Sequence, residues 1–334
     1  MYNSKIVGAG HYVPEKIVTN KDLEKIMDTS DEWIRERSGI EERRFAEMGV
    51  DTTANMGTKS AKIALERAGL TADDVDFIVF ATLSPDYYFP GPGVTVQHEL
   101  GCKRTVGALD VRNQCSGFIY SLSVADQFIK TGMYKTILVI GSELQSSGLD
   151  LTTRGRGVSV LFGDGAGAVV LQRTEEENKG ILSTHMHSEG QFAELLCVKS
   201  PGNHTKEKFY KDMHEDYKNT SPQMDGQAVF KNAVVRFSQV IMEALKANNC
   251  APADLDMFVP HQANLRITQF VQRKLQLPDN KVYSNIQKFG NTTAATIPII
   301  LSELWEKKGI KENDLFVLAA FGSGFTWASA LIRW

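Results

Sequence analysis

The sequence of 334 residues lacks the features that mark several broad classes of protein. No apolar run approaches the roughly 20 residues that a membrane-spanning helix needs. Residues 1–14 contain no basic stretch followed by a long apolar core, so no secretory signal is expected. The 37 basic and 40 acidic residues give no basic excess of the kind that nucleic-acid-binding proteins show. These absences leave an ordinary soluble globular protein as the expected class.

Cysteine is also scarce, with four residues: Cys102, Cys115, Cys197 and Cys250. They are widely spaced, with no C-x-x-C pair and no cysteine–histidine cluster at zinc-site spacing, so no metal site is expected. In a chain without a secretion signal, reduced thiols and a cytoplasmic location are the default expectation. Most free cysteines are small buried side chains, so each one needs a further reason to be called functional.

What the sequence does contain is an internal repeat. A helical pattern followed by an apolar strand occurs four times, in the same order in each half: 60–70 with 73–81, 115–132 with 136–141, 240–249 with 253–261, and 291–309 with 315–319. Continuous apolar strands between amphipathic helices are typical of buried, largely parallel sheets. A duplicated α/β unit is the simplest explanation, and a chance match of two generic α/β units is the alternative.

Three polar residues fall where these strands and helices join. Cys115 lies between an apolar strand and a helix start, where the helix dipole and free N–H groups lower a thiol pKa. His261 directly follows an apolar strand, at the sheet edge where open α/β folds place ligands. Aligning Asp76 with Asp256 places Ala81 opposite His261, and in the order of the repeat Asn291 falls opposite Cys115 at a second helix start. Each residue alone fits a structural role, as a buried thiol, a hydrogen-bonded histidine or an N-cap, but their convergence predicts one catalytic site.

Three other features remain. Residues 163–167 are glycine-rich, but a strand rather than a helix follows, so a hairpin is favoured over a dinucleotide-binding loop. Arg266, Arg273 and Lys274 share one face of a helical pattern, which is either a solvated face or a docking patch for an acidic partner. Residues 199–223 break the repeat and indicate a surface lid or an inert insertion.

With Cys115, His261 and Asn291 in view, the sequence resembles the β-ketoacyl-[acyl-carrier-protein] synthase III family, which are condensing enzymes of the thiolase superfamily. The resemblance covers essentially the whole chain, through the following motifs: Asp28–Ile40, the Cys115 segment, Phe162–Ala166, Met224–Phe230, His261–Asn264, Gly290–Asn291 and the glycine-rich C-terminus. It implies a thiolase-like α/β fold with five αβαβα layers and two duplicated halves, residues 1–175 and 176–334. It also implies a homodimer.

The resemblance implies a reaction in two halves. An acyl-CoA first acylates Cys115; malonyl-[acyl-carrier-protein] then decarboxylates, and its carbanion attacks the acyl-cysteine to give β-ketoacyl-carrier protein and CO2. This step initiates type II fatty acid synthesis. His261 and Asn291 would donate hydrogen bonds to the thioester carbonyl, and the backbone N–H groups of Cys115 and Ser323 would form the oxyanion hole. No metal or redox cofactor is implied, because the CoA thioester and the carrier's phosphopantetheine arm are substrates.

The same resemblance assigns binding roles to matching positions. These are Trp33 for stacking on adenine, Arg37 and Arg156 near the nucleotide, Gly226 and Asn264 in the pantetheine tunnel, Phe230 and Phe321 around the active-site cavity, Phe89 in the partner's acyl pocket, and Arg266, Arg273 and Lys274 on the helix that docks the carrier protein.

Three departures from the family pattern leave the acyl specificity open. Ser323 and Ala328 each replace a glycine that is usual in the family, and the excursion at 199–223 is longer than usual. Three alternatives stay open beside fatty acid initiation. They are a related condensing enzyme of specialised lipid or polyketide synthesis with a different acyl donor or acceptor, a non-catalytic partner subunit, and a thioester hydrolase.

Overall fold

The computed structural model describes residues 2–102, 105–200, 202 and 220–334. Its strands are β1 Asn3–Tyr12, β2 Ile17–Thr19, β3 Glu42–Arg44, β4 Phe77–Ala81, β5 Gly107–Val111, β6 Thr136–Glu143, β7 Gly165–Thr174, β8 Gly180–Ser188, β9 Leu196–Cys197, β10 Gln223–Met224, β11 Met257–Pro260, β12 Leu315–Gly322 and β13 Thr326–Arg333. Its helices are α1 Asn20–Glu24, α2 Asp31–Ser38, α3 Thr53–Ala68, α4 Pro92–Glu99, α5 Gly117–Lys130, α6 Arg156–Ser159, α7 Gly226–Ala247, α8 Leu265–Leu275, α9 Ile286–Phe289 and α10 Thr296–Glu306.

Two main sheets organise these elements. The first has the order β1-β7-β6-β4-β5, with β4 parallel to both β5 and β6, and β7 antiparallel to β6 and β1. The second has the order β11-β12-β13-β8, with β11 parallel to β12, and β13 antiparallel to β12 and β8. The first sheet is built from the chain up to Thr174 and the second from Gly180 onward, so the two sheets follow one another along the sequence.

The predicted duplication is visible in single hydrogen bonds. The N–H of Asp76 donates to the Thr136 carbonyl over 2.8 Å, and the Asp76 carboxylate accepts from the Thr136 N–H at 2.9 Å. In the second half, the N–H of Asp256 donates to the Leu315 carbonyl over 2.9 Å, and its carboxylate accepts from the Leu315 N–H at 2.8 Å. Each aspartate therefore ties the start of one parallel strand to the start of the next. Two unrelated α/β units would have no reason to share this detail.

The two halves differ at one edge. The first sheet ends in the exposed strand β5, whereas the second has at the matching place a single parallel bridge between Phe258 and Val282. The glycine-rich segment at 163–167 leads directly into β7, whose first residue is Gly165, so a strand and not a helix follows it, as predicted. The predicted tight hairpin is wrong, because the antiparallel neighbour β6 ends at Glu143 and helix α6 lies between the two strands.

Helices and sheets alternate in five layers. Helices α3 and α4 cover the outer face of the first sheet, with the apolar contacts of Leu65, Ile78 and Val96. Helices α5 and α10 form the middle layer, and their buried side chains, such as Leu122 and Ile300, contact both sheets. Helices α7 and α8 cover the outer face of the second sheet. The predicted αβαβα order is confirmed.

Two further sequence-based statements concern particular segments. Within the described ranges, no helix is long and apolar enough to cross a membrane. Of the predicted lid or insertion at 199–223, residues 201 and 203–219 lie outside the described residues, so that prediction stays a prediction.

Candidate active site

Cys115 lies in a short 3-10 turn, Gln114–Ser116, between β5 and α5. Gln114 has a φ of 40°, a left-handed backbone that is uncommon for residues other than glycine and that concentrates at functional sites. The next residue, Ser116, has its hydroxyl 2.8 Å from that of Thr326 on β13. This contact joins the turn that carries the thiol to the second half of the chain.

The loop after β12 approaches Cys115 very closely. A Cβ atom placed on Gly322 would lie 2.7 Å from the Cβ of Cys115, closer than real Cβ contacts, so a side chain there would displace the nucleophile. Two backbone N–H groups, those of Cys115 and Ser323, point at the thiol sulfur. These are the two donors that the resemblance assigns to the oxyanion hole.

His261 directly follows β11, and its N–H donates to the Ala319 carbonyl of β12 over 2.8 Å. Its side chain is buried, with Nδ1 2.7 Å from the Thr296 hydroxyl and Nε2 without a hydrogen-bond partner among the described residues. Burial lowers the pKa of His261 to about 3, and the nearby Thr293 carbonyl opposes that shift. The imidazole is therefore neutral at ordinary pH.

Asn291 is buried in the segment between α9 and α10. Its backbone is fixed by two hydrogen bonds, from its N–H to the Leu161 carbonyl and from the Gly163 N–H to its carbonyl. Its Oδ1 accepts from the Thr293 N–H at 2.9 Å. Because Oδ1 is occupied in this way, the amide nitrogen is left to donate. Asn291 does not cap a helix, since α10 begins five residues later at Thr296.

The three candidates meet at Thr293. Its N–H is bound to Asn291, its carbonyl accepts from the Thr296 hydroxyl that contacts His261, and it lines the same cavity as Cys115. The structure therefore brings the three candidates together from both halves of the chain.

The predicted alignment inside the repeat is wrong by three residues. Thr293 begins a 3-10 turn with a φ of 47°, and Gln114 begins the matching turn in the first half. With the two turns superposed, Cys115 corresponds to Ala294 and not to Asn291. The asparagine reaches the site from the segment before the turn.

Glu143 is a buried group that the sequence analysis missed. It ends β6, and its Oε2 accepts hydrogen bonds from the Thr82 and Ser84 hydroxyls and the Leu83 N–H. Its Oε1 lies 3.4 Å from the N–H of Ala294. The carboxylate therefore joins the ends of two parallel strands to the turn beside Cys115. Its position at a strand end is the signal that would have found it.

The thiol pKa moves in the opposite direction to the one predicted. Burial and the nearby Glu143 carboxylate raise the pKa of Cys115 to about 12, although the N–H groups of Cys115 and Ser323 lower it. Loss of water around the sulfur outweighs the donors at the helix start. The resting nucleophile is a neutral thiol, so it needs a proton acceptor when the substrate arrives.

A cavity of about 400 Å³ opens at the thiol. Its lining combines Cys115 and Ser323 with apolar side chains from several elements, including Leu83, Leu144 and Phe162. A mostly apolar pocket with a few convergent polar groups is the usual form of a small-molecule site. It suits an apolar acyl chain whose reactive end lies at the sulfur.

A second cavity, of about 600 Å³, brings together six residues that were predicted separately: Trp33, Arg37, Gly226, Phe230, Asn264 and Arg266. The Arg37 guanidinium lies 4.4 Å from the centre of the Trp33 ring, and that of Arg156 lies 5.6 Å from it. An indole with two guanidinium groups close to it offers stacking for an aromatic base and charge for phosphates.

The remaining predicted residues lie outside these two cavities. Phe321 is buried and packs on Phe325, with ring centroids 4.9 Å apart. Phe89 is 81% exposed in a loop beside Tyr87 and Tyr88. Ala328 is buried within β13, opposite Ala320, and lines neither cavity.

The predicted basic face is present on α8. Arg266, Arg273 and Lys274 are all exposed, and Phe270 between them is 39% exposed. In the described ranges, no cluster of three or more histidine, cysteine or acidic side chains is arranged to hold a metal ion.

Comparison with known proteins identifies the family. Residues 109–190, which include Cys115, match the 3-oxoacyl-[acyl-carrier-protein] synthase III model, and residues 245–334, which include His261 and Asn291, match its C-terminal model. The chain is 45% identical over 334 residues to β-ketoacyl-[acyl-carrier-protein] synthase III of Rhodospirillum centenum, covering 99% of both chains. The chain belongs to the β-ketoacyl-[acyl-carrier-protein] synthase III family.

Solved structures of the family confirm the thiolase-like fold. The crystal structure of 3-oxoacyl-[acyl-carrier-protein] synthase III from Aquifex aeolicus is 42% identical, with a TM-score of 0.90 over 99% of this chain and 100% of that one. The priming β-ketosynthase of the R1128 polyketide pathway has a TM-score of 0.91 but 31% identity, over 99% of this chain and 96% of that one. The chain is more similar to the Aquifex aeolicus enzyme, and at 45% identity to the Rhodospirillum centenum synthase III, than to the polyketide enzyme, which favours fatty acid synthesis over the polyketide alternative. The chain is a condensing acyltransferase.

Proposed function

We propose that this chain starts fatty acid synthesis by moving an acyl group from acyl-CoA to Cys115 and condensing it with malonyl-carrier protein. The observation that carries the assignment of roles is the junction at Thr293, which holds His261 and Asn291 beside the cavity of the thiol. A neutral thiol, a neutral imidazole and a free amide group then have complementary tasks.

In the first half-reaction, the thiol of Cys115 gives its proton to Nε2 of His261 as the sulfur attacks the acyl-CoA carbonyl. Nε2 has a free lone pair when Nδ1–H donates to the Thr296 hydroxyl, which itself donates to the Thr293 carbonyl. The N–H groups at the sulfur stabilise the tetrahedral oxyanion. The C–S bond of acyl-CoA breaks, and the leaving CoA thiolate takes the proton from Nε2.

In the second half-reaction, the thioester carbonyl of malonyl-carrier protein accepts hydrogen bonds from the Asn291 amide and from Nε2–H of His261. Nε2 carries a proton in the other neutral tautomer, in which the Thr296 hydroxyl donates to Nδ1; a hydroxyl serves both tautomers. CO2 leaves, and the enolate carbon attacks the acyl group on Cys115. The cysteine leaves as a thiolate and takes a proton from water.

The second cavity would hold the CoA nucleotide. Trp33 would stack on the adenine of CoA. Arg37 and Arg156 would face the phosphates of the nucleotide, since both guanidinium groups already lie close to the indole. Gly226 and Asn264 line the same cavity and would border the pantetheine arm. No metal or redox cofactor enters this chemistry, because N–H donors supply the charge stabilisation and CoA and the carrier's arm are substrates.

The exposed cations of α8 would dock the acidic carrier protein. Arg266 belongs both to this face and to the second cavity, so a carrier bound there would present its arm at the cavity mouth. Arg273 and Lys274, about two turns further along α8, would then contact the carrier alone.

We also propose a homodimer. Tyr87, Tyr88 and Phe89 are 64%, 61% and 81% exposed, and the neighbouring edge strand β5 exposes Leu109. Contiguous exposed apolar side chains beside an open strand edge are typical of an interface. In a twofold pair, Phe89 would reach the acyl pocket of the second copy. We propose a cytoplasmic location.

Intact mass after incubation with a panel of acyl-CoAs tests the proposal, beside a Cys115→Ala variant. We expect a single acyl adduct from a short-chain CoA, absent in the variant, and release of β-ketoacyl-carrier protein when malonyl-carrier protein is added. Adducts from long chains or acyl-carrier protein alone would indicate the specialised alternative. CoA release without adduct or condensation would indicate a hydrolase, and a folded protein without any reaction would indicate a non-catalytic subunit.

A further inference from the structure

Ser323 makes two contacts that point in different directions. Its backbone N–H points at the sulfur of Cys115, and its hydroxyl donates a hydrogen bond to the carbonyl of Leu196 in β9. One residue therefore touches both the reacting centre and a strand that is distant in sequence.

Strand β9 forms one side of the cavity that contains the thiol. Leu196, Cys197 and Val198 all line that cavity. The strand pairs with β10, and Met224 of β10, the partner of Leu196, lines the second cavity. The β9–β10 pair thus separates the two cavities, and its position sets the width of the first one.

The other side of the Ser323 loop is already fixed. The Ser323 carbonyl accepts from the Thr326 hydroxyl at 3.1 Å, which in turn lies 2.8 Å from the Ser116 hydroxyl, next to Cys115. Gly322 has no free space against Cys115. The loop that contains Gly322 and Ser323 therefore cannot move away when a larger group enters the cavity. Strand β9, on the opposite side, has to move instead.

We propose that Ser323 is a specificity-determining residue, whose hydroxyl holds β9 close to Cys115 and so disfavours long acyl groups. The inference rests on the proposed transfer of an acyl group to Cys115. The N–H of Ser323 fixes the acyl carbonyl, and its hydroxyl fixes the opposite side of the cavity, so a longer chain has to break the bond to Leu196. Without the hydroxyl, long chains no longer have a bond to break. Short chains, which fit without breaking it, are unaffected.

The test is a competition for Cys115 between equimolar acetyl-CoA and octanoyl-CoA, read as the ratio of the two adducts by intact mass. Ser323→Ala and Ser323→Gly both remove the hydroxyl and keep the N–H. A neutral hydrogen bond changes an equilibrium about threefold to tenfold, so we expect the octanoyl-to-acetyl ratio to rise by about that factor in both variants.

Ser329→Ala is the matched control. Ser329 is buried in β13, and its hydroxyl also donates to a distant backbone carbonyl, that of Val240, at 2.8 Å, but it lines neither cavity. The octanoyl-to-acetyl ratio of Ser329→Ala should equal that of the unmodified protein.

An unchanged ratio in both Ser323 variants would overturn the inference, and so would an equal loss of both adducts, which would mean that only the oxyanion donor had moved. If one variant does not fold, the other still decides. Absence of any adduct on the unmodified protein would instead overturn the proposed function itself.

Discussion

Nδ1 of His261 and the hydroxyl of Thr296 lie 2.7 Å apart, and the same hydroxyl lies 3.0 Å from the Thr293 carbonyl. Because a hydroxyl both donates and accepts, Thr296 can support either neutral tautomer of the imidazole. It is a positioning residue, since it acts on the substrate through the histidine.

The first prediction concerns this hydroxyl. Thr296→Val keeps the shape of the side chain and should slow both acyl loading and condensation by about tenfold or more, since a buried imidazole nitrogen loses its partner. Thr296→Ser keeps the hydroxyl and should retain most of the rate of both steps. Single-turnover loading and carbon–carbon bond formation are measured separately. Equal loss in the two variants would mean that the methyl group matters as much as the hydroxyl, and loss in Thr296→Ser alone would mean that the hydroxyl has no role.

The second prediction concerns the charge near the thiol. Glu143→Gln removes a negative charge that disfavours the thiolate, so the pKa of Cys115 should fall. At about pH 8, alkylation of Cys115 by iodoacetamide should accelerate by up to about tenfold, the effect of one pKa unit. Glu303→Gln is the control, because that buried carboxylate of α10 accepts hydrogen bonds from Asn285 and Tyr283 and does not act on the pKa of Cys115. An unchanged rate would mean that Glu143 is protonated in the resting enzyme.

The third prediction concerns stability against pH. The pKa of His261 is about 3 in the folded protein, and we expect the ordinary value of 6.5 in the unfolded chain. Between these two pH values, the unfolded chain therefore binds a proton that the folded protein does not. The contribution of neutral His261 to the free energy of unfolding is fully present above pH 6.5. It falls by about 1.4 kcal/mol per pH unit as the pH decreases towards 3.

Urea unfolding of the unmodified protein and of His261→Gln measures this term. As the pH falls from about 7 to about 5, the unfolding free energy of the unmodified protein should decrease more than that of the variant. A difference that does not depend on pH would mean that the folded histidine titrates normally.

The fourth prediction concerns the basic face of α8. Reversing the charge of Arg273 and Lys274 to glutamate should raise the KM for malonyl-carrier protein by about tenfold, most strongly at low salt. Acyl loading from CoA should be unchanged, since neither residue lines the thiol cavity or the second cavity. The matched control is the same double charge reversal at Lys307 and Lys308, which lie beyond the end of α10, and it should leave the KM for malonyl-carrier protein unchanged. A rise in the KM for acyl-CoA would place these residues in the CoA site.

The sequence located the site because of where Cys115, His261 and Asn291 lie along the chain. Each lies at or just beyond the end of a strand or before a helix, and parallel strands of a duplicated unit bring such positions to one edge. The order of the repeat follows from the periodicity of the helices and strands, whereas the αβαβα layering came from the resemblance. The residues around CoA came from the resemblance, since Trp33, Gly226 and Arg266 show no common pattern in sequence.

The contacts between halves were beyond sequence reasoning. Glu143 matters because the first half places it against Ala294 of the second, and Thr296 matters because α10 places it against His261 at the end of β11. No local pattern encodes that packing. The alignment of Asn291 with Cys115 failed because a shift of three residues inside a loop leaves the helix and strand periods intact. The direction of the thiol pKa depends on burial, which the helix start alone does not determine.

The shared middle layer has a consequence for folding. Helices α5 and α10 cover the inner faces of both sheets, so neither half can keep its apolar surface from water without the other. The chain should therefore unfold in one cooperative transition, with no populated state in which residues 1–175 stay folded while 176–334 do not. Two gene fragments divided near residue 175 would have to find each other before either became stable.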